Sequence, residues 1–92
     1  MSEDLQQLRA RLDAIDVQLL AVLKARLDCC EDIGRYKKRH DVAMMQPQRI
    51  GIVKARAGEF ARTNGMSEAF LSDLYDVIIA ETCRLEDIII HG

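Results

Sequence analysis

The chain has 92 residues, a formal net charge of −2, one proline and a composition rich in Leu, Ile, Ala, Glu and Arg. An acidic balance argues against a protein that coats nucleic acid, and three unevenly spaced cysteines suit neither a disulfide framework nor a zinc site. Because a single domain of this size buries only a small core, we expect a second copy of the chain to reinforce it.

The apolar residues form no run of the roughly 18 residues that a membrane span requires. The N-terminal segment is acidic and amphipathic, whereas a signal peptide would be basic and then apolar. We therefore expect a cytoplasmic protein. The composition favours helices throughout, which predicts an all-α fold built as one domain over residues 1–92.

Helix one is predicted over about residues 3–40, where apolar residues recur at steps of three and four. Such a helix would be about 55 Å long, against a radius of gyration of about 12 Å for a compact chain of this size. It cannot bury its apolar stripe within one chain. The pattern therefore predicts an intertwined homodimeric helical bundle, in which the long helices of two copies run past each other.

Helix two is predicted over residues 47–63, because Pro47 suits the first position of a helix and Asn64-Gly65 suits its end. Its inward face should carry Ile52, Val53, Ala57, Phe60 and Ala61. Helix three is predicted over residues 67–90, with Ser67 as a capping residue at its start. One long and two shorter helices therefore make up the predicted domain.

Two cations interrupt the apolar stripe of helix one. Arg26 and Lys37 follow Ile15 at successive steps of eleven residues, which brings both side chains to the core-facing side. Arg9 lies about 100° round the helix and should point toward another subunit. Arg49 precedes Ile52 by three residues and also faces inward.

Burying these charges without partners would cost several kcal/mol each, so an anionic ligand is one explanation for them. The alternative is that Arg26 and Lys37 reach solvent or pair with acids such as Asp16 or Glu81. Helix three has a similar polar pair one turn apart, Thr82 and Glu86, flanked by apolar residues.

Glu86 could equally be a surface acid near Arg84. The adjacent Cys29 and Cys30 point apart on a helix and cannot form an unstrained disulfide bond, so packing is the favoured role for them.

The segments LRARLDAID, LKARLDCCEDIGRYK, QPQRI and LYDVIIAETCRLED, at these mutual spacings, resemble the all-α class (type II) of chorismate mutases. The resemblance covers nearly the whole chain without gaps. It implies a homodimer that rearranges chorismate, a small dicarboxylate, to prephenate within one molecule. Such a pericyclic reaction requires no nucleophile, metal or cofactor.

The resemblance also implies roles for individual residues. Arg9 matches the arginine that the family sends into the partner's active site, and Arg26 and Lys37 match the cations that meet substrate from the same long helix. Arg49 matches the helix-two arginine. Arg9 and Arg26 would bind the two carboxylates, with Arg49 assisting, because planar guanidinium groups pair with carboxylates through two hydrogen bonds.

In helix three, Thr82 stands where the family often has serine, and Glu86 where it has glutamine or, in some members, glutamate. Lys37 and Glu86 would flank the ether oxygen of the substrate, as the catalytic pair. Two positions depart from the family. Gln46 and Ile50 replace two acids that receive the ring hydroxyl of chorismate in many members.

The loop RYKKRHDVAMMQPQR and the segment ETCRLED look most like the 4-amino-4-deoxychorismate mutases. Isochorismate pyruvate lyase, another relative, also has a proline and an aliphatic residue around this loop. A non-catalytic helical dimerisation module would keep the apolar stripe but would not need this set of cations. The preferred substrate therefore stays open between chorismate and its 4-amino analogue, with the lyase as an alternative.

Overall fold

A computed structural model describes residues 4–92 of the chain. It contains three helices, α1 (Leu5–His40), α2 (Pro47–Thr63) and α3 (Glu68–His91), and the described residues form no strand. The all-α fold class is therefore confirmed. None of the helices in this part of the chain is both long enough and apolar enough to cross a membrane.

Local side-chain chemistry explains where the helices begin. The predicted start of helix one at residue 3 lies outside the described residues; in the structure Asp4 accepts a hydrogen bond from the Gln7 backbone, and the Gln7 side chain accepts one from the Asp4 backbone. α2 begins at Pro47. Ser67 accepts a hydrogen bond from Phe70 N, so it caps α3 and the helix itself begins one residue after the predicted start.

The chain is elongated, because α1 is much longer than the rest of the molecule is wide. Its principal extents are 59 × 25 × 15 Å and its radius of gyration is 17.0 Å, against about 12 Å for a compact chain of this length. α3 packs against both α1 and α2. Ala57 and Ala61 of α2 and Leu71 of α3 form the small buried core, with Tyr75 packed against it.

Many apolar side chains remain exposed in this single chain. They include a series along the N-terminal half of α1, namely Leu5, Leu8, Leu12, Ile15, Leu19 and Val22. Within a single chain, the prediction that Ile52 and Phe60 point into the core is wrong, because these residues are 47% and 55% exposed. Only the alanine-bearing side of α2 packs on α3, and no described element covers these two residues.

α1 and α3 pack closely against each other at Gly34. A Cβ atom at this position would lie 3.3 Å from Glu86 Cγ and 3.4 Å from Glu86 Cα. The first distance is shorter than an ordinary van der Waals contact and the second is at its lower limit, so an added methyl group requires Glu86 to shift by a few tenths of an ångström. Lys37 lies one turn further along α1, and the close crossing therefore sets the separation between Lys37 and Glu86.

We predict that the variants Gly34→Ala and Gly51→Ala change stability differently. Both glycines lie inside helices, where alanine is favoured by about 1 kcal/mol. A Cβ atom at Gly51 would meet nothing from the rest of the fold within 4 Å, so this variant should unfold at higher urea concentration than the wild type. Gly34→Ala should gain nothing or lose stability. Equal stabilisation of both, measured at one protein concentration, would contradict the close crossing.

Candidate active site

A cavity of about 270 Å³ lies where α1, the loop after it, α2 and α3 meet. This volume is close to the lower end of the range of about 300–1,000 Å³ that is typical of small-molecule pockets. Its polar side chains are Arg26, Lys37, Gln46, Arg49, Thr82 and Glu86. Its apolar wall includes Ile33, Ile50, Val53 and Ile79. The structure thus brings together every predicted substrate-binding residue other than Arg9.

Lys37 and Glu86 form a buried ion pair across the α1–α3 crossing. Lys37 Nζ donates to Glu86 Oε1 at 2.7 Å and to the backbone oxygen of Met44 at 2.8 Å. The two side chains are only 13% and 6% exposed. Because an ammonium group has three N–H donors, one remains for a ligand in the cavity.

The burial of Glu86 rules out the alternative of a surface acid beside Arg84. Arg84 instead binds Glu81 at 2.6 and 2.8 Å. These hydrogen bonds, together with the charge of Arg84, hold the pKa of the Glu81 carboxyl below its usual value. Glu81 therefore pairs with Arg84 and not with Arg26, so the alternative of an Arg26–Glu81 ion pair is wrong.

Arg26 is held against α3 by neutral groups. Its Nη1 donates to Thr82 Oγ1 at 2.9 Å and lies 3.8 Å from Cys30 Sγ, while its Cζ lies 5.8 Å from the centre of the Tyr75 ring. None of the described contacts of Arg26 is with a carboxylate. Its positive charge is therefore available to an anionic ligand.

Gln46 and Arg49 come from the start of α2. Gln46 is the residue before Pro47, and its Nε2 donates to the backbone oxygen of Ala43 at 2.9 Å. This bond holds the loop and leaves the amide oxygen of Gln46 as an acceptor at the cavity. Arg49 follows within the first turn of α2 and lines the same cavity.

The charges around the cavity suit a ligand with two negative charges. Among the described residues that line it, three are cations and one, Glu86, is a carboxylate. Since Lys37 and Glu86 neutralise each other, Arg26 and Arg49 remain for two anionic groups. Guanidinium groups bind carboxylates particularly well, because their N–H donors match both oxygens.

Arg9 lies outside this cavity. It is exposed on the N-terminal part of α1, about 25 Å along the helix axis from Arg26. It therefore does not reach the cavity of its own chain. Its expected contribution to the site of a second copy stays a prediction.

The sequence did not reveal two parts of the site. Tyr75 lies under Arg26, and its spacing of seven residues from Thr82, two helical turns, could have placed it on the same face of α3. The Met44 carbonyl that binds Lys37 gave no signal, because any residue could supply a backbone oxygen at that point.

The fold is all-helical, and the cavity carries two guanidinium groups whose charges suit a small dianion. The chain belongs to the chorismate mutase type II family, whose family model matches residues 8–87, and it is therefore an isomerase. It rearranges chorismate or a close analogue of chorismate.

The sequences of several curated relatives align with most of this chain. It is 52% identical over 86 residues to the 4-amino-4-deoxychorismate mutase of Streptomyces venezuelae, covering 94% of this chain and 84% of that protein. It is 55% identical over 86 residues to the protein of that name from Streptomyces pristinaespiralis, covering 94% and 67%. The T-protein of Haemophilus influenzae is 30% identical over 86 residues, which is 92% of this chain and 22% of that protein.

We predict that Lys37→Met destabilises the protein because it leaves the Glu86 carboxylate buried without its cation. Removing one partner of a buried ion pair typically costs about 3–5 kcal/mol. Replacing both partners, in Lys37→Met/Glu86→Leu, should restore most of the free energy of unfolding measured in urea.

Lys24→Met is the matched control, because Lys24 pairs with Asp28 on the surface of the same helix, where the side chains are 75% and 52% exposed. This variant should unfold at nearly the wild-type urea concentration. A Lys37→Met protein as stable as the Lys24→Met protein would show that the buried pair does not stabilise the α1–α3 crossing.

Proposed function

We propose that the chain converts 4-amino-4-deoxychorismate to 4-amino-4-deoxyprephenate in preference to converting chorismate to prephenate. The observation that carries this proposal is the wall of the cavity near the start of α2. Gln46 and Ile50 line it, and the one carboxylate among the described lining residues, Glu86, is bound to Lys37. The names of the two Streptomyces relatives support the same substrate.

The two substrates differ at ring position 4, where chorismate has a hydroxyl group and its analogue an amine. The resemblance places Gln46 and Ile50 near this position, where many family members have acids that accept a hydrogen bond from the hydroxyl. Loss of such a partner typically costs about 1–3 kcal/mol. The bond from Gln46 Nε2 to Ala43 O leaves the amide oxygen of Gln46 as an acceptor, and a protonated amine donates a stronger, charge-assisted hydrogen bond to such an oxygen than a hydroxyl group does.

In this proposal, Arg26 and Arg49 hold the two substrate carboxylates and thereby select a compact conformer. Lys37 directs its third N–H toward the ether oxygen, which gains negative charge as the C–O bond breaks and the new C–C bond forms. Glu86 accepts a hydrogen bond from Lys37 and thereby keeps its ammonium group in place. Thr82 accepts a hydrogen bond from Arg26 and holds this side chain at the cavity.

These contributions are large enough for an enzyme. A millionfold acceleration requires about 8 kcal/mol, and one preorganised donor typically supplies about 3–4 kcal/mol. Conformer selection by the arginines can supply the remainder. The rearrangement moves electrons within one molecule, so the proposed mechanism assigns no cofactor or metal.

The proposal includes a homodimer in which Arg9 enters the site of the other copy. Exposed apolar residues along α1 and α2 support it, because a second chain would cover them. Arg9 lies on the exposed half of α1, and a third guanidinium group would strengthen the binding of a dicarboxylate. A cytoplasmic location also belongs to this proposal, since the family is biosynthetic.

We predict that kcat/KM is at least about tenfold higher for 4-amino-4-deoxychorismate than for chorismate, because the pocket lacks the expected acids near ring position 4. Gln46→Leu should lower kcat/KM for the amine by about tenfold, since it removes the acceptor. Gln48→Leu, an exposed change of the same kind two residues away, should leave it unchanged.

The rates should be measured for both substrates, together with pyruvate release from isochorismate. A tenfold preference for chorismate would overturn the proposed substrate and leave an ordinary chorismate mutase. Faster pyruvate release from isochorismate than either rearrangement would make the chain an isochorismate pyruvate lyase.

A further inference from the structure

The hydroxyl group of Thr82 has contacts that occupy all of its hydrogen-bonding capacity. Thr82 Oγ1 lies 3.0 Å from the backbone oxygen of Ile78, 2.9 Å from Arg26 Nη1 and 3.6 Å from Cys30 Sγ. A hydroxyl group has one proton to donate and two lone pairs to accept. Its proton goes to Ile78 O, because a carbonyl oxygen can only accept, and one lone pair accepts from Arg26.

The remaining lone pair of Thr82 determines which group donates the hydrogen bond between Thr82 and Cys30. Since the Thr82 proton is already donated, the S–H of Cys30 must donate to Thr82 Oγ1. The sulfur in turn faces Arg26 Nη1 at 3.8 Å as a weak acceptor. Cys30, Thr82 and Arg26 thus form a closed triangle of hydrogen bonds at the wall of the cavity.

The triangle fixes one end of the Arg26 guanidinium group. Nη1 has two N–H donors, and Thr82 and Cys30 account for both of them. Tyr75 adds a contact with the guanidinium carbon. No described residue takes the donors on Nη2 and Nε, and these form the edge that can bind a carboxylate.

We propose that Cys30 is a positioning residue: its thiol donates to Thr82 and orients Arg26 toward a substrate carboxylate. This inference rests on the proposed function for the identity of the ligand. Cys30 is only 8% exposed and therefore also packs as a small core residue. The inference adds a second role, the orientation of Arg26. It also means that Thr82 acts on substrate through Arg26, because its hydroxyl has no donor or acceptor left.

The first experiment separates the donor from the volume of the side chain. Cys30→Ser keeps a donor, Cys30→Val fills the space without one, and Cys30→Ala tests a smaller side chain that packs without strain. We expect the valine and alanine variants to raise KM by about three- to tenfold and to lower kcat by a smaller factor, because Arg26 binds the substrate carboxylate before and during the reaction and also selects the compact conformer. The serine variant should stay close to wild type.

A double-mutant cycle then tests whether Cys30 acts through Thr82. In a Thr82→Val background the thiol has lost its acceptor, so Cys30→Val should add little to the rise in KM. The inference is overturned if the serine, valine and alanine variants have the same KM, or if Cys30→Val has its full effect without the Thr82 hydroxyl.

Nuclear magnetic resonance of the ligand-free protein, labelled with nitrogen-15 at arginine, gives a readout that does not depend on activity. Rotation about the Cζ–Nη1 bond of Arg26 should be slow in the wild type and Cys30→Ser proteins and faster in Cys30→Val. Arg84, which is bound to Glu81, is the internal reference and should not change. If the wild-type protein shows slow rotation and Cys30→Val faster rotation, but the wild type is inactive, only the proposed function is refuted. Identical Arg26 signals in all variants would refute the positioning role.

Discussion

A helix of 36 residues within a chain of 92 cannot bury its own apolar face, and the rest of the structure depends on this constraint. α3 covers only part of α1, and the N-terminal half of the helix is exposed. The same helix carries Arg9 at one end and Arg26 and Lys37 further along. If a second copy covers the exposed half, as we propose, one helix supplies cations to two sites.

The C-terminal half of α1 shows how a polar site can be built at a helix crossing without losing the fold. Gly34 lets α1 approach α3 closely, and the Lys37–Glu86 ion pair lies one turn further on. Burying an isolated charge would cost several kcal/mol, so each of these two groups needs the other. Arg26 differs, because Thr82, Cys30 and Tyr75 hold it without neutralising it. The ion pair therefore fixes the geometry of the α1–α3 crossing, and the positive charge of Arg26 attracts an anion.

Much of this could be predicted from the sequence, because helix periodicity depends on neighbours within a few residues. Periodicity predicted the three helices and singled out Arg26 and Lys37 as cations on an apolar face. It could not pair Lys37 with Glu86, which is 49 residues away, since the pairing depends on how α1 crosses α3. Nor could it show that Ile52 and Phe60 stay exposed in one chain, because periodicity identifies an apolar face and not what covers it.

The most direct test of the shared site is the activity of mixed dimers. Arg9→Ala and Lys37→Ala chains, each inactive, are unfolded together in equal amounts and refolded, and native mass spectrometry confirms the heterodimers. If Arg9 enters the other copy's site, each heterodimer has one intact site, and about a quarter of the activity of the same amount of wild-type chain should return. Arg26→Ala mixed with Lys37→Ala is the control and should recover nothing, because both residues line the cavity of one chain. Confirmed Arg9→Ala/Lys37→Ala heterodimers without activity would contradict the shared site.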